Sequence, residues 1–185
     1  MPRWEADGKQ RLEDAALELF LEAGYDSTTV AGIAKRAGLT ERSFYRHFTD
    51  KREVLFASGE LLTEFLASRL SSAPPELEPF SALIHAMQGA DEVFLPREYV
   101  QRRFDAISRS PALTERELVK LAGLADTLAQ ILEERGTEPQ QARLATDLAM
   151  SVFRIASQNR QTTQKPFKDL IHDAVQAQRR AGLFE

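Results

Sequence analysis

The chain has 185 residues, 43% of them hydrophobic and 28% charged, which is ordinary globular composition for one medium domain or a small domain fused to a larger one. It contains no cysteine, which excludes disulfides, cysteine-based zinc sites and a thiol nucleophile. A net charge of −4 argues against a protein that coats nucleic acid in general. No apolar run approaches the roughly 18 residues of a membrane span, and the first residues are not a secretion leader. We therefore expect a cytoplasmic protein with no membrane partner.

The first predicted helix runs from Lys9 to the glycine at position 24. Its apolar residues recur three or four positions apart, which is typical of a helix with one buried face: Leu12, Ala15, Ala16, Leu19, Phe20 and Ala23. A polar turn follows. Thr28 or Thr29 in this turn is suited to cap a second helix. The N-terminus of that helix is also a favourable binding position for a phosphate.

Residues 29–48 predict two short helices joined by a tight turn. The apolar residues of the first helix form one stripe: Val30, Ile33, Ala34 and Ala37. Gly38 provides the positive φ that often ends a helix, and Thr40 is suited to cap the next one. In that second helix Phe44 and Phe48 lie one turn apart and are expected in the core. The outward positions carry groups suited to phosphates and base edges: Arg42, Ser43, Tyr45, Arg46 and His47. This is a helix-turn-helix pattern.

Positive charge is concentrated around this pattern. The stretch from Lys35 to Arg52 holds six Lys or Arg residues against two acidic ones, a balance of +4, so the rest of the chain carries −8. A protein that binds a specific nucleic-acid sequence needs only such a local patch.

The remaining sequence predicts further helices and no strand. Asp50 and Glu53 resemble a capping box for a helix running to about Leu70, and two adjacent prolines then interrupt the chain between residues 71 and 79. Apolar spacing indicates a helix from Phe80 that stops by Pro96 and a shorter one after it. Later helices are expected to begin at Thr114, Thr137 and Pro166, and Gly136 is expected to end one of them. The total is about nine helices.

The segment ALELFLEAGYDSTT, the helix-turn-helix and the segment TDKREVLF together resemble the DNA-binding domain of the tetracycline-repressor (TetR) family of bacterial transcription regulators. The resemblance runs from about Lys9 to Leu55. It implies an all-α protein with a three-helix DNA-binding domain in residues 1–52 and a larger helical domain for effector binding and dimerisation in residues 53–185. It also implies a repressor that binds double-stranded, palindromic operator DNA as a homodimer and is released by a small-molecule effector.

The resemblance assigns roles to residues of the helix-turn-helix. Arg42 and Ser43 are the expected base readers, and Tyr45, His47 and Lys51 match positions that the family uses for phosphate contacts. The full set of predicted DNA-binding residues is Thr28, Thr29, Lys35, Thr40, Glu41, Arg42, Ser43, Tyr45, Arg46, His47 and Lys51.

The last two helices are expected to form the dimer contact as a four-helix bundle, because the family does this and because both carry an apolar stripe edged by alanines. The predicted interface residues are Leu148, Val152, Ile155, Phe167, Leu170, Ile171 and Ala174. The alternative is that these residues pack only within one chain.

An apolar effector site is predicted in the larger domain, which has more aromatic and flexible side chains than a bundle of leucines requires. The predicted residues are Phe80, His85, Met87, Phe94, Tyr99, Gln101, Arg103, Phe104, Met150 and Phe153. The alternative is a solid core, in which His85 is a buried or boundary histidine rather than a ligand contact.

Signatures of catalysis are missing from the sequence. It has no G-x-G-x-x-G, no P-loop, no G-x-S-x-G and no H-E-x-x-H motif, and its three histidines, at positions 47, 85 and 172, are far apart. We therefore expect neither an enzyme nor a metal or cofactor. The competing interpretations are a ligand-independent DNA-binding architectural or interaction module and, less favoured, a helical enzyme.

Overall fold

The computed structural model describes residues 3–57 and 59–182, and within these ranges the chain forms nine α-helices and no strand. The helices are α1 (Arg3–Ala23), α2 (Val30–Arg36), α3 (Glu41–His47), α4 (Gly59–Ser71), α5 (Pro79–Met87), α6 (Arg97–Ser108), α7 (Pro111–Glu134), α8 (Pro139–Arg160) and α9 (Phe167–Arg180). Two 3-10 turns lie at Glu53–Leu55 and Ala90–Glu92. The prediction of an all-α fold with about nine helices is confirmed. None of the described helices is both long and apolar enough to cross a membrane.

The first compact unit combines the described residues up to Gly59 with the segment Glu98–Lys120. Its core is built on α1 and takes in α2, α3 and parts of α6 and α7. Four of the six predicted stripe residues of α1 are buried, whereas Leu19 is half-buried and Ala23 is exposed. The large buried side chains of this core include Leu12, Leu17, Phe20, Ile33, Phe44, Phe48, Leu55, Phe56 and Leu113.

The second unit combines Glu60–Arg97 with the described residues from Leu121 onward. Helices α8 and α9 pack along each other, and α5 packs against α8. Phe167 lies at the centre of an aromatic cluster, with its ring centroid 4.6 Å from that of Phe94 and 5.5 Å from that of Phe153, both edge to face. This core is filled by interlocking side chains.

The two units differ from the predicted domains, residues 1–52 and 53–185. Val54, Leu55 and Phe56 are at most 2% exposed and belong to the first core. Ala106 and Ile107 of α6 are buried in the same core although they are distant in sequence. Short-range patterns carry no information about such long-range contacts, so the sequence placed the division too early in the chain.

The predicted continuous helix from Asp50 to Leu70 is wrong. Asp50 does act as a cap, since its Oδ1 accepts hydrogen bonds from the backbone N–H of Arg52 at 2.7 Å and of Glu53 at 3.1 Å. The helical turn that follows ends at Leu55, and α4 begins only at Gly59. The interruption allows three consecutive apolar residues, 54–56, to be buried together, which one face of a regular helix does not permit.

Several other boundaries shift by one turn or more. Helix α5 ends at Met87, well before the predicted stop at Pro96. Helix α7 begins at Pro111, with the Ser110 hydroxyl accepting from the N–H of Leu113 at 3.4 Å, and Thr114 lies inside the helix. The cap of α8 is Glu138 rather than Thr137. The break at residues 71–79 and the end at Gly136, with a φ of 95°, are confirmed.

Candidate nucleic-acid interface

The turn between α2 and α3 is closed by backbone hydrogen bonds. The N–H of Gly38 donates to the carbonyl of Lys35 at 3.1 Å, and that of Leu39 donates to the carbonyl of Ala34 at 2.8 Å. This is the Schellman pattern, which needs a residue with positive φ, and Gly38 has a φ of 67°. The Arg11 guanidinium from α1 donates to the carbonyl of Ala37 beside it. The predicted stop at Gly38 is therefore confirmed.

Two threonines begin the helices on either side of this turn. The Oγ1 of Thr29 accepts from the N–H of Gly32 at 3.0 Å, and the Oγ1 of Thr40 accepts from the N–H of Ser43 at 3.2 Å. Both residues are exposed and have extended backbones, as N-caps do. Both predicted caps are confirmed, and they set the direction in which the two helices leave the turn.

Helix α3 is anchored by its two phenylalanines. Phe44 is fully buried and Phe48 is 3% exposed, and their ring centroids are 5.2 Å apart. Since both rings lie on the inner side, the opposite face of α3 is held toward solvent in one orientation. The interpretation of both residues as core is confirmed.

The outward face of α3 is polar and basic. Glu41, Arg42, Tyr45 and Arg46 are exposed, with Tyr45 at 57%, and Ser43 is half-buried. A surface depression of about 650 Å³ is bordered by Thr40, Arg42, Ser43, Tyr45 and Arg46. The structure thus brings together on one surface the residues predicted to read bases and contact phosphates.

Three of the predicted DNA-binding residues have contacts within the protein. Thr28 is 5% exposed, and its hydroxyl donates to the carbonyl of Gly24 at 2.8 Å. The Lys51 ammonium donates to the carbonyls of Tyr25 at 2.7 Å and Thr28 at 2.8 Å and lies 4.0 Å from the centre of the Tyr25 ring. Burial lowers the pKa of Lys51. His47 is half-buried, with its Nε2 near Gly8.

Some of the Lys and Arg side chains between positions 35 and 52 form ion pairs within the protein. Arg36 turns back to α1 and pairs with Glu18 at 3.0 Å and Glu22 at 2.8 Å. The hydrogen bonds it donates to Glu22 and Glu18 raise the pKa of Arg36. Arg52 pairs with Asp50 at 3.2 Å. Lys35, Arg42 and Arg46 are exposed cations, of which the last two lie on α3.

Sequence reasoning missed the residues that position this surface. Arg11 of α1 donates a hydrogen bond to the end of α2, and the Tyr25 ring makes a cation–π contact with the Lys51 ammonium. Glu53 is bound by Arg116 and, at 3.0 Å, by Lys120. Each contact joins residues more than twenty positions apart, so helical periodicity contains no signal for them.

The same unit contains a buried acid on α1. Glu13 is 7% exposed, and burial raises its pKa from 4.5 to about 7, against the opposing attraction of Lys9. Tyr99 of α6 is close enough for its pKa to be raised as well, first by burial and then by the charge of Glu13. The inner side of α1 therefore holds a carboxyl group that titrates near neutrality.

The ten predicted effector residues are divided between the two units. Four of them, Tyr99, Gln101, Arg103 and Phe104, belong to the first unit, and the other six belong to the second. Arg103 donates to the carbonyl of Leu55 at 2.7 Å and pairs with Glu117, so it is a structural residue. In the second unit, Met87 is fully buried, and Phe94 and Phe153 belong to the aromatic cluster. His85 is exposed, which contradicts its interpretation as a buried or boundary histidine.

Five of the seven predicted dimer residues are buried within a single chain. Val152 and Ile171 are fully buried, and Phe167, Leu170 and Ala174 are at most 3% exposed. Val152 of α8 and the other four, which belong to α9, pack in the core of the second unit, so their assignment to a dimer surface is corrected. Leu148 and Ile155 are half-buried and remain at the surface.

Within residues 3–57 and 59–182, no three His, Asp or Glu side chains lie close enough together to hold a metal ion.

Residues 12–57 match the family model described as "Bacterial regulatory proteins, tetR family". The regulator TcmR of Streptomyces glaucescens, described as HTH-type, is 36% identical over 89 residues, which are 48% of this chain and 38% of TcmR. IcaR of Staphylococcus aureus, described as a negative transcriptional regulator of the biofilm operon icaADBC, is 36% identical over 58 residues, or 31% of each chain. The chain thus covers well under two thirds of either relative.

The fold as a whole has counterparts among solved structures. A transcriptional regulator from Aquifex aeolicus aligns over 93% of this chain and 98% of its own, with a TM-score of 0.57 and 22% identity. At that identity the likeness establishes the helical fold. The resemblance found in the sequence is confirmed by the match at residues 12–57.

Proposed function

We propose that this chain, which belongs to the tetR family of bacterial regulatory proteins through residues 12–57, is a sequence-specific DNA-binding transcription regulator and acts as a repressor. The observation that carries the proposal is the outward face of α3. Arg42, Ser43, Tyr45 and Arg46 stand together on a helix whose other face is fixed by buried Phe44. Repression is supported by the description of IcaR as a negative regulator.

The chemistry of this face suits the major groove of DNA. A guanidinium such as that of Arg42 offers two parallel donors to the O6 and N7 atoms of guanine, which is the commonest specific contact. Arg42 and Ser43 lie in the first turn of α3, the part of a recognition helix that usually reaches base edges. Tyr45 and Arg46 follow on the same exposed surface and are suited to phosphates.

The experiment begins with selecting the genomic fragments that the purified protein binds. Binding to a selected duplex and to a scrambled one is then titrated for wild type, Arg42→Ala and Arg179→Ala. Arg179 is an exposed arginine of α9 and controls for loss of one positive charge. Arg42→Ala should cost about 1–3 kcal/mol at one position of each half-site and relax its base preference. Equal binding of both duplexes by wild type would refute sequence-specific recognition.

The regulator is proposed to act as a homodimer on a palindromic site, because one short recognition helix makes a small contact and two-fold symmetry doubles it. A candidate contact is the outer face of α8, where Leu144 is 61% exposed. Leu148 and Ile155 lie on the same side by helical spacing and are half-buried. We propose these three apolar side chains as the dimer contact, in place of the five buried residues that the sequence predicted.

Release of DNA by a small-molecule effector, and action in the cytoplasm, remain part of the proposal on family resemblance alone. The relatives matched by this chain are transcriptional regulators, which supports a non-enzymatic role. The competing interpretation is a ligand-independent DNA-binding module. Screening small molecules for thermal stabilisation, followed by DNA titration in the presence of each hit, separates the two.

A further inference from the structure

A cavity that is open to solvent and lined by polar residues lies in the second unit, outside the helix-turn-helix. Its volume is about 310 Å³, and it is lined by Arg69 of α4, by Gln88 and Gly89 after α5, and by Lys168, Asp169 and His172 of α9. Every lining side chain is polar, and glycine contributes only backbone. A volume at the lower end of the range of ligand sites, roughly 300–1,000 Å³, suits a small ligand, and this lining suits a polar one.

The guanidinium of Arg69 is held in place at this cavity. Its Nε donates to the carbonyl of Ala86 at 3.2 Å, its Nη1 is 3.7 Å from Glu92, and its centre is 5.5 Å from the centre of the Phe65 ring. The Nε and Nη1 contacts orient the group and leave the two N–H groups of Nη2 for a further acceptor. An arginine fixed in this way loses little conformational entropy when it binds an anion.

Gly89 makes room for this arrangement. A Cβ built at position 89 would lie 2.8 Å from the Arg69 Cζ, a distance that forces the guanidinium to move. Gly89 has a φ of −93°, so its backbone conformation is open to other residues. Glycine at this position therefore leaves room for the Arg69 guanidinium, which a side chain here would displace.

Among the side chains that line the cavity, positive charge exceeds negative charge. Arg69 and Lys168 are cationic, Asp169 is the one acidic residue of the lining, and His172 adds a further donor. Glu92 lies outside the lining and forms an ion pair with Arg69 at 3.7 Å, which offsets part of the positive charge. Arginine and lysine together are the usual protein donors to phosphate and carboxylate groups.

We infer that this cavity binds a small polar oxyanion, recognised through a phosphate or carboxylate group by Arg69 and Lys168. The inference does not depend on DNA binding, because both cations belong to the second unit. It differs from the apolar effector expected from the sequence, since this lining has no apolar side chain.

The test is calorimetric titration of the full chain, free of DNA, with inorganic phosphate and separately with succinate, at constant ionic strength. Lys168→Gln removes a cation of the cavity, and Arg179→Gln removes an exposed cation farther along the same helix. Lys168→Gln should bind at least about tenfold more weakly, as expected for a lost charge-assisted contact, and Arg179→Gln should bind as wild type does. Gly89→Ala should also bind more weakly, because it displaces Arg69.

Binding of phosphate alone identifies a phosphate group, binding of succinate alone a carboxylate, and binding of both the shared oxyanion chemistry. The inference is overturned if wild type binds neither ligand at about 10 mM, a concentration that would reveal very weak affinity. It is also overturned if Lys168→Gln binds like wild type while Arg42→Gln does not, because the anion then occupies the DNA-binding face.

Discussion

Lys51 lies at the edge of the candidate interface, and its ammonium is bound by the protein itself. Two backbone carbonyls of the turn between α1 and α2 accept its protons, and the Tyr25 ring covers it. The resemblance to the family predicted a phosphate contact here. The contacts assign Lys51 a structural role in holding the turn that leads into α2, and a contact with DNA through its third proton stays a prediction.

Replacing Lys51 with methionine keeps the length of the side chain and removes both hydrogen bonds. Bonds from a charged donor contribute about 1.5–3 kcal/mol each when buried, and at this half-buried site we expect a total loss of about 1–3 kcal/mol. Thermal unfolding should shift downward by roughly 2–4 °C per kcal/mol. Lys35→Met, at an exposed position, should leave the transition unchanged. An unaltered transition in Lys51→Met, together with a salt slope of DNA binding lower by about one unit, would favour the phosphate role.

Glu13 makes stability depend on pH. Its pKa is about 7 in the folded chain and 4.5 as the ordinary value, so between these limits the folded state holds a proton that the unfolded state has lost. Stability therefore falls as pH rises through this window, by up to about 3 kcal/mol from this group. Glu13→Gln should match wild type near pH 4.5 and exceed it above pH 7.

Chemical denaturation of wild type and Glu13→Gln across that window measures the difference directly. Asp14→Asn is the matched control, since Asp14 is the exposed neighbour of Glu13 on the same helix. A constant difference between wild type and Glu13→Gln at every pH would show that the carboxyl is not protonated in the folded chain.

Among the elements, the turn between α2 and α3 combines local and long-range requirements. Its backbone pattern needs the positive φ of Gly38, which follows from the sequence of the turn alone. The guanidinium of Arg11, 27 positions away, also occupies the space where a Cβ at Gly38 would lie, at 2.7 Å. The local conformation therefore requires glycine here, and an added Cβ would also displace the Arg11 guanidinium.

Gly38→Ala and Gly24→Ala separate these two requirements. Both glycines have positive φ, 67° and 84°, but a Cβ at Gly24 would meet nothing within 4 Å. Gly24→Ala should cost about 1–2 kcal/mol for the left-handed backbone, and Gly38→Ala should cost more. Urea unfolding of both variants, each with and without Arg11→Ala, measures how much more stability Gly38→Ala loses than Gly24→Ala. If the excess persists without Arg11, the contact with Arg11 is not its cause.

In the whole molecule, α8 has two apolar faces with different roles. Val152 faces inward and is fully buried, whereas Leu144 is 61% exposed. The inner face is the core of the second unit, and the outer face is the proposed contact with a second copy. Substitutions on the two faces should therefore affect different equilibria, folding in one case and assembly in the other.

Leu144→Glu should yield a folded monomer, because the charge remains in water in the free chain and opposes only association. Val152→Asp should unfold the second unit, since a buried unpaired charge costs several kcal/mol. Light scattering gives the assembly state and circular dichroism gives the helix content of each variant. Persistence of the dimer in Leu144→Glu would exclude this face as the contact, and a monomeric wild type would exclude the homodimer.

Much of the fold was predictable from sequence because it depends on neighbours along the chain. The stripe of α1, the two threonine caps, the stop at Gly38 and the inward Phe44 all follow from helical spacing and backbone preference, which act over a few residues. The same local pattern identified the outward residues of α3, Arg42, Tyr45 and Arg46, whose role in binding DNA stays a prediction.

The remaining features were decided only by the tertiary structure. Arg11, Lys51 and Glu53 bind partners 23 to 67 positions away, and Arg103 binds the Leu55 carbonyl 48 positions away; no period in the sequence encodes such contacts. Helix α8 has one apolar stripe in the core and another at the surface. The neighbouring helices decide which is which, because helical spacing predicts a stripe but not the helix that it packs against. The oxyanion cavity likewise gathers residues from α4, the end of α5 and α9. Helical spacing and backbone preference thus determined the outward face of α3, and packing between distant segments determined the contacts that hold this helix in place.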